Sequence, residues 1–219
     1  AGDFNHDQRA DLAVLGQKST YIVRQNRAGS FDPPVIIRNT AEALRLGMAG
    51  DFDGDGRDDL FYTANSDGER YICVRLQTAQ GELGPEYRLD LKNVLGVTVA
   101  DVLGDGTKEI LAINSQTERL GLYRVHRPQA KDEVESRPIQ FGVGVKGNAK
   151  RDLDVGDLDG DGLTDVVVSD PDGAQLIVYL QHARSGLDLG TAYASFLGIE
   201  QIRIRDLSGR ELLRMDGAY

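Results

Sequence analysis

Residues 51–60 read DFDGDGRDDL, five aspartates and two glycines in ten positions. So acidic a run should repel itself, yet the apolar FYT of 61–63 follows it at once. The stretch returns along the chain. It appears as DFNHDQRADLAVL from Asp3, DFDGDGRDDLFYT from Asp51, DVLGDGTKEILAI from Asp101 and DLDGDGLTDVVVS from Asp157. A shortened version, DLSGRELLRM, starts at Asp206. The first residues of successive copies lie 48, 50, 56 and 49 positions apart. A period near 50 residues over the whole chain marks a repeat architecture. The repeats run approximately 1–48, 49–98, 99–154 and 155–203, with a partial repeat at 204–219.

Each repeat continues alike. The acidic stretch leads into a short apolar run, Leu12 to Leu15, Leu60 to Tyr62, Ile110 to Ile113 or Val166 to Val168. Continuous apolar runs of this length suit strands buried on both faces. Asp67-Gly68 and Asp172-Gly173 are dipeptides that favour tight hairpin turns. Second strands follow in TYIVRQ, RYICVRL, LGLYRVH and AQLIVYLQ, with further turns at Gly29, Gly81 and Gly186. A last strand such as VLGVTVAD enters the next loop. The nearest helical candidate, NTAEALRLGMAG, is limited by Gly47 and Gly50. Four short strands per 50 residues bury too little alone and must stack face to face. The expected fold is therefore all-β, a β-propeller of four-stranded blades with about four visible; a linear stack is the alternative.

Counted from its first residue, each loop offers oxygen donors at positions one, three, five and nine. These are Asp3, Asn5, Asp7 and Asp11; Asp51, Asp53, Asp55 and Asp59; and Asp157, Asp159, Asp161 and Asp165. Hard oxygen donors without Cys or His point to Ca2+ rather than zinc or copper. Gly56 and Gly162 at position six permit a sharp turn, and the carbonyls of Arg9, Arg57 and Leu163 at position seven add a main-chain ligand. The loop begins like an EF-hand, but its twelfth position is Tyr62 or Val168 in a strand-like run rather than a glutamate before a helix.

GDFDGDGRDDL and GDLDGDGLTDV resemble the FG-GAP/VCBS repeats of integrin-α-type β-propellers, whose pattern is D-x-D-x-D-G-x-x-D-hydrophobic once per blade. The resemblance covers essentially all 219 residues. It implies a calcium loop between neighbouring strands of a blade, with side-chain ligands at one, three, five and nine and the carbonyl at seven. About three ions are expected. Loop three, with Leu103 at position three, is a weaker fourth site of Asp101, Asp105 and Glu109. In loop one Gln8 replaces the position-six glycine and should strain the turn. The fifth loop, three residues short before Glu211, is expected to hold no ion. Integrin-like propellers have more blades than four, so an incomplete ring is expected, completed by other segments or chains.

Composition narrows the partners. A net charge of −10 and a pI near 4.8 argue against nucleic acid and anionic membranes. No apolar run approaches the length of a bilayer span. The ligand positions of loops one, two and four supply 11 carboxylates out of the chain's 35 acids, and three Ca2+ would raise the charge to −4. Cys73 alternates with Tyr71 and Arg75 on one strand face and reads as a semi-buried small apolar residue, not a nucleophile. GVGVKG, with Gly142, Gly144 and Gly147, lacks the βαβ setting of a dinucleotide site and reads as a connector. His6, His126 and His182 share no metal or triad spacing, His6 is expected to point outward, and Asp58 falls between ligand positions facing solvent. The polar segment 127–138 is a solvated loop and the best place for a partner contact. These readings point to a non-enzymatic, calcium-stabilised extracellular, cell-surface or periplasmic module for adhesion or scaffolding, with a protein or carbohydrate ligand. The alternative is the propeller of a carbohydrate-active lyase or dehydratase, for which no cluster of His, Tyr, Lys or Arg is evident.

Overall fold

In the computed structural model the described residues are 1–66, 69–89, 91, 94–114, 117, 119–126, 137–142, 150–206 and 211–217. The Asp67-Gly68 turn, Gly144 and Gly147, most of the polar segment and residues 207–210 of the fifth loop lie outside them. The chain divides into two compact units, Ala1–Lys92 with Val125–Ser136, and Asn93–Arg124 with Arg137–Tyr219.

In the first unit β1 (Leu12–Leu15), β2 (Ser19–Val23) and β3 (Val35–Arg38) form one sheet in chain order. A four-stranded sheet follows, again in chain order, from β4 (Arg45–Gly50), β5 (Asp59–Ser66), β6 (Glu69–Arg75) and β7 (Tyr87–Leu89). In the second unit β8 (Val94–Ala100), β9 (Glu109–Asn114), β10 (Arg119–Arg124) and β11 (Arg137–Gly142) form a four-stranded meander. So do β12 (Leu153–Gly156), β13 (Asp165–Asp170) and β14 (Gln175–Tyr179), with β17 (Thr191–Ala194) at the edge beyond a small ribbon of β15 (Gln181–His182) and β16 (Gly186–Leu187). Last, β18 (Ile199–Asp206) pairs with β19 (Glu211–Gly217). Every pairing is antiparallel. No helix occurs among the described residues. The protein is all-β, made of antiparallel sheets of the β-propeller blade type.

The apolar runs after the loops explain the stacking. Along β13, Val166 and Val168 join a core with Leu111, Ile113, Leu120 and Leu122 of the preceding sheet, while Val167 turns to Ile199, Ile202 and Ile204 of β18. A strand covered on both sides needs apolar residues at every position. The first run departs from this expectation. Ala13 and Leu15 pack toward Phe4, Leu60 and Tyr62, whereas Leu12 and Val14 on the opposite face are exposed. The segment nearest to a helix in pattern is instead β4, whose ladder to β5 shifts register between Arg45 and Met48. Ala43 and Leu46 there adopt positive φ, which a helix excludes. Gly29, Gly81 and Gly186 all have positive φ (78°, 73° and 71°), as their turn role requires. Cys73 is fully rather than half buried, and burial pushes its thiol up to about 12, in line with a packing role.

A buried ionic network fastens the two sheets of the first unit. Arg75 Nε donates to Tyr62 Oη (3.1 Å), and its NH2 donates to the Arg38 carbonyl (2.8 Å) at the end of β3 and to Glu86 (3.3 Å). Glu86 also accepts from Tyr62 Oη and Thr40 Oγ1, both at 2.5 Å, and from the Ala41 amide at 2.8 Å. Burial works against its charge, but the hydrogen bonds from Thr40 and Tyr62 and the Arg75 guanidinium outweigh that, leaving the carboxyl below its usual range. Glu86→Gln leaves Arg75 buried without a counter-charge and should destabilise the first unit by about 3 kcal/mol in urea unfolding at pH 7. A depressed folded pKa adds stability above the unfolded value of 4.5 and loses it as pH falls through the folded value. The gap between wild type and variant should therefore shrink as pH drops below that range.

Candidate metal centre

The four loops share one backbone scaffold, and the carboxylates at positions one, five and nine build it. Position one receives the amides of the loop's own middle. Asp51 accepts from Gly54 (2.7 Å), Asp55 (3.2 Å) and Gly56 (2.7 Å). Asp101 and Asp157 accept from Gly104, Asp105 and Gly106 and from Gly160, Asp161 and Gly162 in the same way. Asp3 accepts from Asp7 (3.0 Å) and Gln8 (2.7 Å). Local capping of this kind is what short acidic side chains offer a tight turn. At position five, Asp7, Asp55, Asp105 and Asp161 each accept the position-seven amide at 2.8–3.1 Å.

Position nine is the deepest. Asp11, Asp59, Glu109 and Asp165 all have no exposed surface. Asp59 accepts the Phe52 amide on one oxygen (3.0 Å) and the Gln77 amide on the other (2.7 Å). Asp11 does the same with Phe4 and Gln25, and Asp165 with Leu158 and Gln181. One side chain thus ties the loop's entry to the end of the following hairpin. Burial pushes Asp59 up to about 7 despite those bonds, with Asp53 and Asp55 adding to the shift; Asp11 and Asp165 are raised for the same first reason.

Two partners of this scaffold escape a reading by acid spacing. The apolar position-two residues Phe4, Phe52 and Val102 are fully buried and donate to position nine. Gln25, Gln77 and Gln181 lie two residues past β2, β6 and β14 and open outer turns through the pairings Gln25–Phe31, Gln77–Leu83 and Gln181–Leu187. Their signal in the sequence is a glutamine recurring two residues after the second strand in repeats one, two and four, where repeat three has His126. Asp58 departs from expectation. It is half-buried and bonded rather than free in solvent; its carboxylate accepts the Asp3 amide at 2.8 Å, and Gln77 Nε2 donates to the carbonyls of Asp3 and Asp58 (2.8 and 2.9 Å). Loops one and two are coupled through these bonds.

Carboxylate oxygens of Asp51, Asp53 and Asp55 lie within 4.8 Å of one another, as do those of Asp157, Asp159 and Asp165. These clusters could bind a metal. Donor chemistry and charge density fit a hard divalent cation. In loop one the buried Oδ1 of Asn5, at position three, has no hydrogen-bond partner, an orphan oxygen where the sequence places a ligand. Arg9 and Arg57 do more than offer a carbonyl, since their guanidinium groups pair with Asp7 and Asp55 and their Nε atoms donate to the Gln25 and Gln77 carbonyls. Loop four has Leu163 at that position and gains no such cation. His6 is exposed, as expected.

Sheets of blade type with an acidic loop between first and second strands define a class of repeat proteins. The FG-GAP-like repeat family model matches residues 3–62 and 51–112, half of the chain, and the chain belongs to that family. A comparison with curated proteins gives no significant match.

Positions four and six of every loop have positive φ. Glycines take this conformation in loops two, three and four, but loop one uses His6 (57°) and Gln8 (66°). Gln8→Gly should therefore raise stability by about 1 kcal/mol in urea unfolding. Asp59→Asn replaces an all-acceptor group with one that faces an amide donor with its own NH2. A loss of about 3 kcal/mol is expected, and it should persist in chelator because the lost bonds are to backbone.

Proposed function

We propose that the chain is a calcium-stabilised extracellular module that binds a protein or carbohydrate partner or serves as a structural scaffold. At the coarser level it is a β-propeller-like binding or structural module, as FG-GAP-like repeats and blade-type sheets indicate. The observation that carries the calcium reading is the convergence of three carboxylates in each of loops two and four on the same backbone scaffold, with the orphan Asn5 oxygen in loop one. About three Ca2+ would be held by Asp3, Asn5, Asp7 and Asp11; by Asp51, Asp53, Asp55 and Asp59; and by Asp157, Asp159, Asp161 and Asp165. Carbonyls of Arg9, Arg57 and Leu163 would complete the sets. The ions would neutralise clustered like charge and rigidify the loops; no reaction is assigned to them.

Extracellular calcium suits sites of weak affinity, Kd about 10⁻⁴ to 10⁻³ M. With free calcium tenfold above Kd, each site adds roughly 1.4 kcal/mol to folding stability. The acidic surface does not suit nucleic acid or membrane insertion, so the partner is sought among glycans and proteins. Calorimetric titration of calcium into chelator-treated protein should count about three ions, and EDTA should lower Tm by several degrees. An unchanged melting curve in EDTA sinks the reading. A glycan and protein-ligand array, run in calcium and scored for binding and cleavage, tests the partner class.

A further inference from the structure

Loop three has the same backbone as its neighbours and a different charge arrangement. Asp101 accepts its three amides as Asp51 and Asp157 do, and Gly104 and Gly106 hold positive φ of 72° and 89°. Position three, however, is Leu103, whose side chain packs into the apolar core of the second unit and lies where a side chain at Gly186 would stand, 2.8 Å away. The loop has lost one oxygen donor to packing. Its acids do not converge as those of loops two and four do.

An arginine faces the acids that remain. Arg124, at the end of β10, donates from Nε to Glu109 Oε1 (2.8 Å) and from NH2 to Asp105 Oδ2 (2.5 Å). In the other three loops the second oxygen of the position-nine acid accepts a backbone amide, from Gln25, Gln77 or Gln181. Glu109 gives that oxygen to Arg124 while its Oε2 still accepts the Val102 amide (3.1 Å). The longer acid at position nine and the arginine across from it thus work as a pair. Arg9 and Arg57 pair with position five of their loops, whereas Arg124 joins positions five and nine. A planar fork with fixed donors suits this bridging, which a lysine could not reproduce.

We propose that the Arg124 guanidinium is a built-in cation that closes loop three in place of a divalent ion, so that the third repeat keeps its order without calcium. The proposal rests on the calcium reading of the other loops for its contrast, but its main test does not.

Hydrogen exchange by mass spectrometry on the full chain, in calcium and in EGTA, reads each loop separately. Wild-type peptides over 101–109 should exchange at the same rate in both buffers, while those over 51–59 and 157–165 exchange faster in EGTA. Arg124→Gln should speed exchange of the 104–107 amides about tenfold in EGTA, leaving β13 and β14 protected. Arg124→Lys keeps the charge and should recover only part of the protection. Calcium-dependent protection of wild-type loop three, or an unchanged rate in Arg124→Gln, overturns the proposal. If loops two and four also ignore EGTA, the calcium reading of those loops falls, and the Arg124→Gln arm still decides the arginine's role.

Discussion

The structure depends on a buried carboxylate that accepts two backbone amides, one from the acidic loop and one from just past the strand paired beside it. At Asp11, Asp59 and Asp165 one oxygen takes the amide just inside the acidic loop and the other takes the amide where the second strand leaves the sheet. At Asp59 both bonds are buried, where an unpaired donor is costly. Only an acceptor without a proton of its own meets two such donors at once. The residue pins the loop to the hairpin that follows it.

That anchor creates an electrostatic debt which the four loops settle differently. A buried carboxylate held among other acids is driven toward protonation, as the rise of Asp59 shows. Loops one and two bring an arginine from position seven onto position five. Loop three brings Arg124 from the neighbouring strand onto both five and nine. Loop four has an apolar residue at position seven and gathers three carboxylates closely.

The repeat, the all-β class and the order loop, strand, turn, strand were legible because apolar runs and turn glycines recur at a fixed period. β13 could be read as doubly buried from Val166, Val167 and Val168 alone. β1 has the same apolar look, but its exposed Leu12 and Val14 show that sequence pattern reports capacity for burial, not the presence of a neighbour. The acids were legible as a group, while their separate duties were not. Asp58 looked like a spare charge because nothing in the local spacing reveals an amide 55 residues away. Arg124 was equally hidden, because it reaches the loop across a strand pair.

The motif's four acids therefore do not carry equal information about a metal. Positions one and five hold equivalent backbone amides in all four loops, and position nine holds the position-two amide in all four and a second amide in loops one, two and four, so an acid there is explained by the fold with or without an ion. Position three has no backbone bond common to the loops, and it is also where the copies differ: Asn5, Asp53, Leu103 and Asp159. In loop four Asp159 accepts the Asp161 amide (3.1 Å), but loop three keeps its turn with a leucine at that position. The survival of an oxygen donor there in loops one, two and four, and its replacement by a packed leucine where an arginine bridges the remaining acids, is the pattern expected if position three tracks the cation and the other acids track the chain.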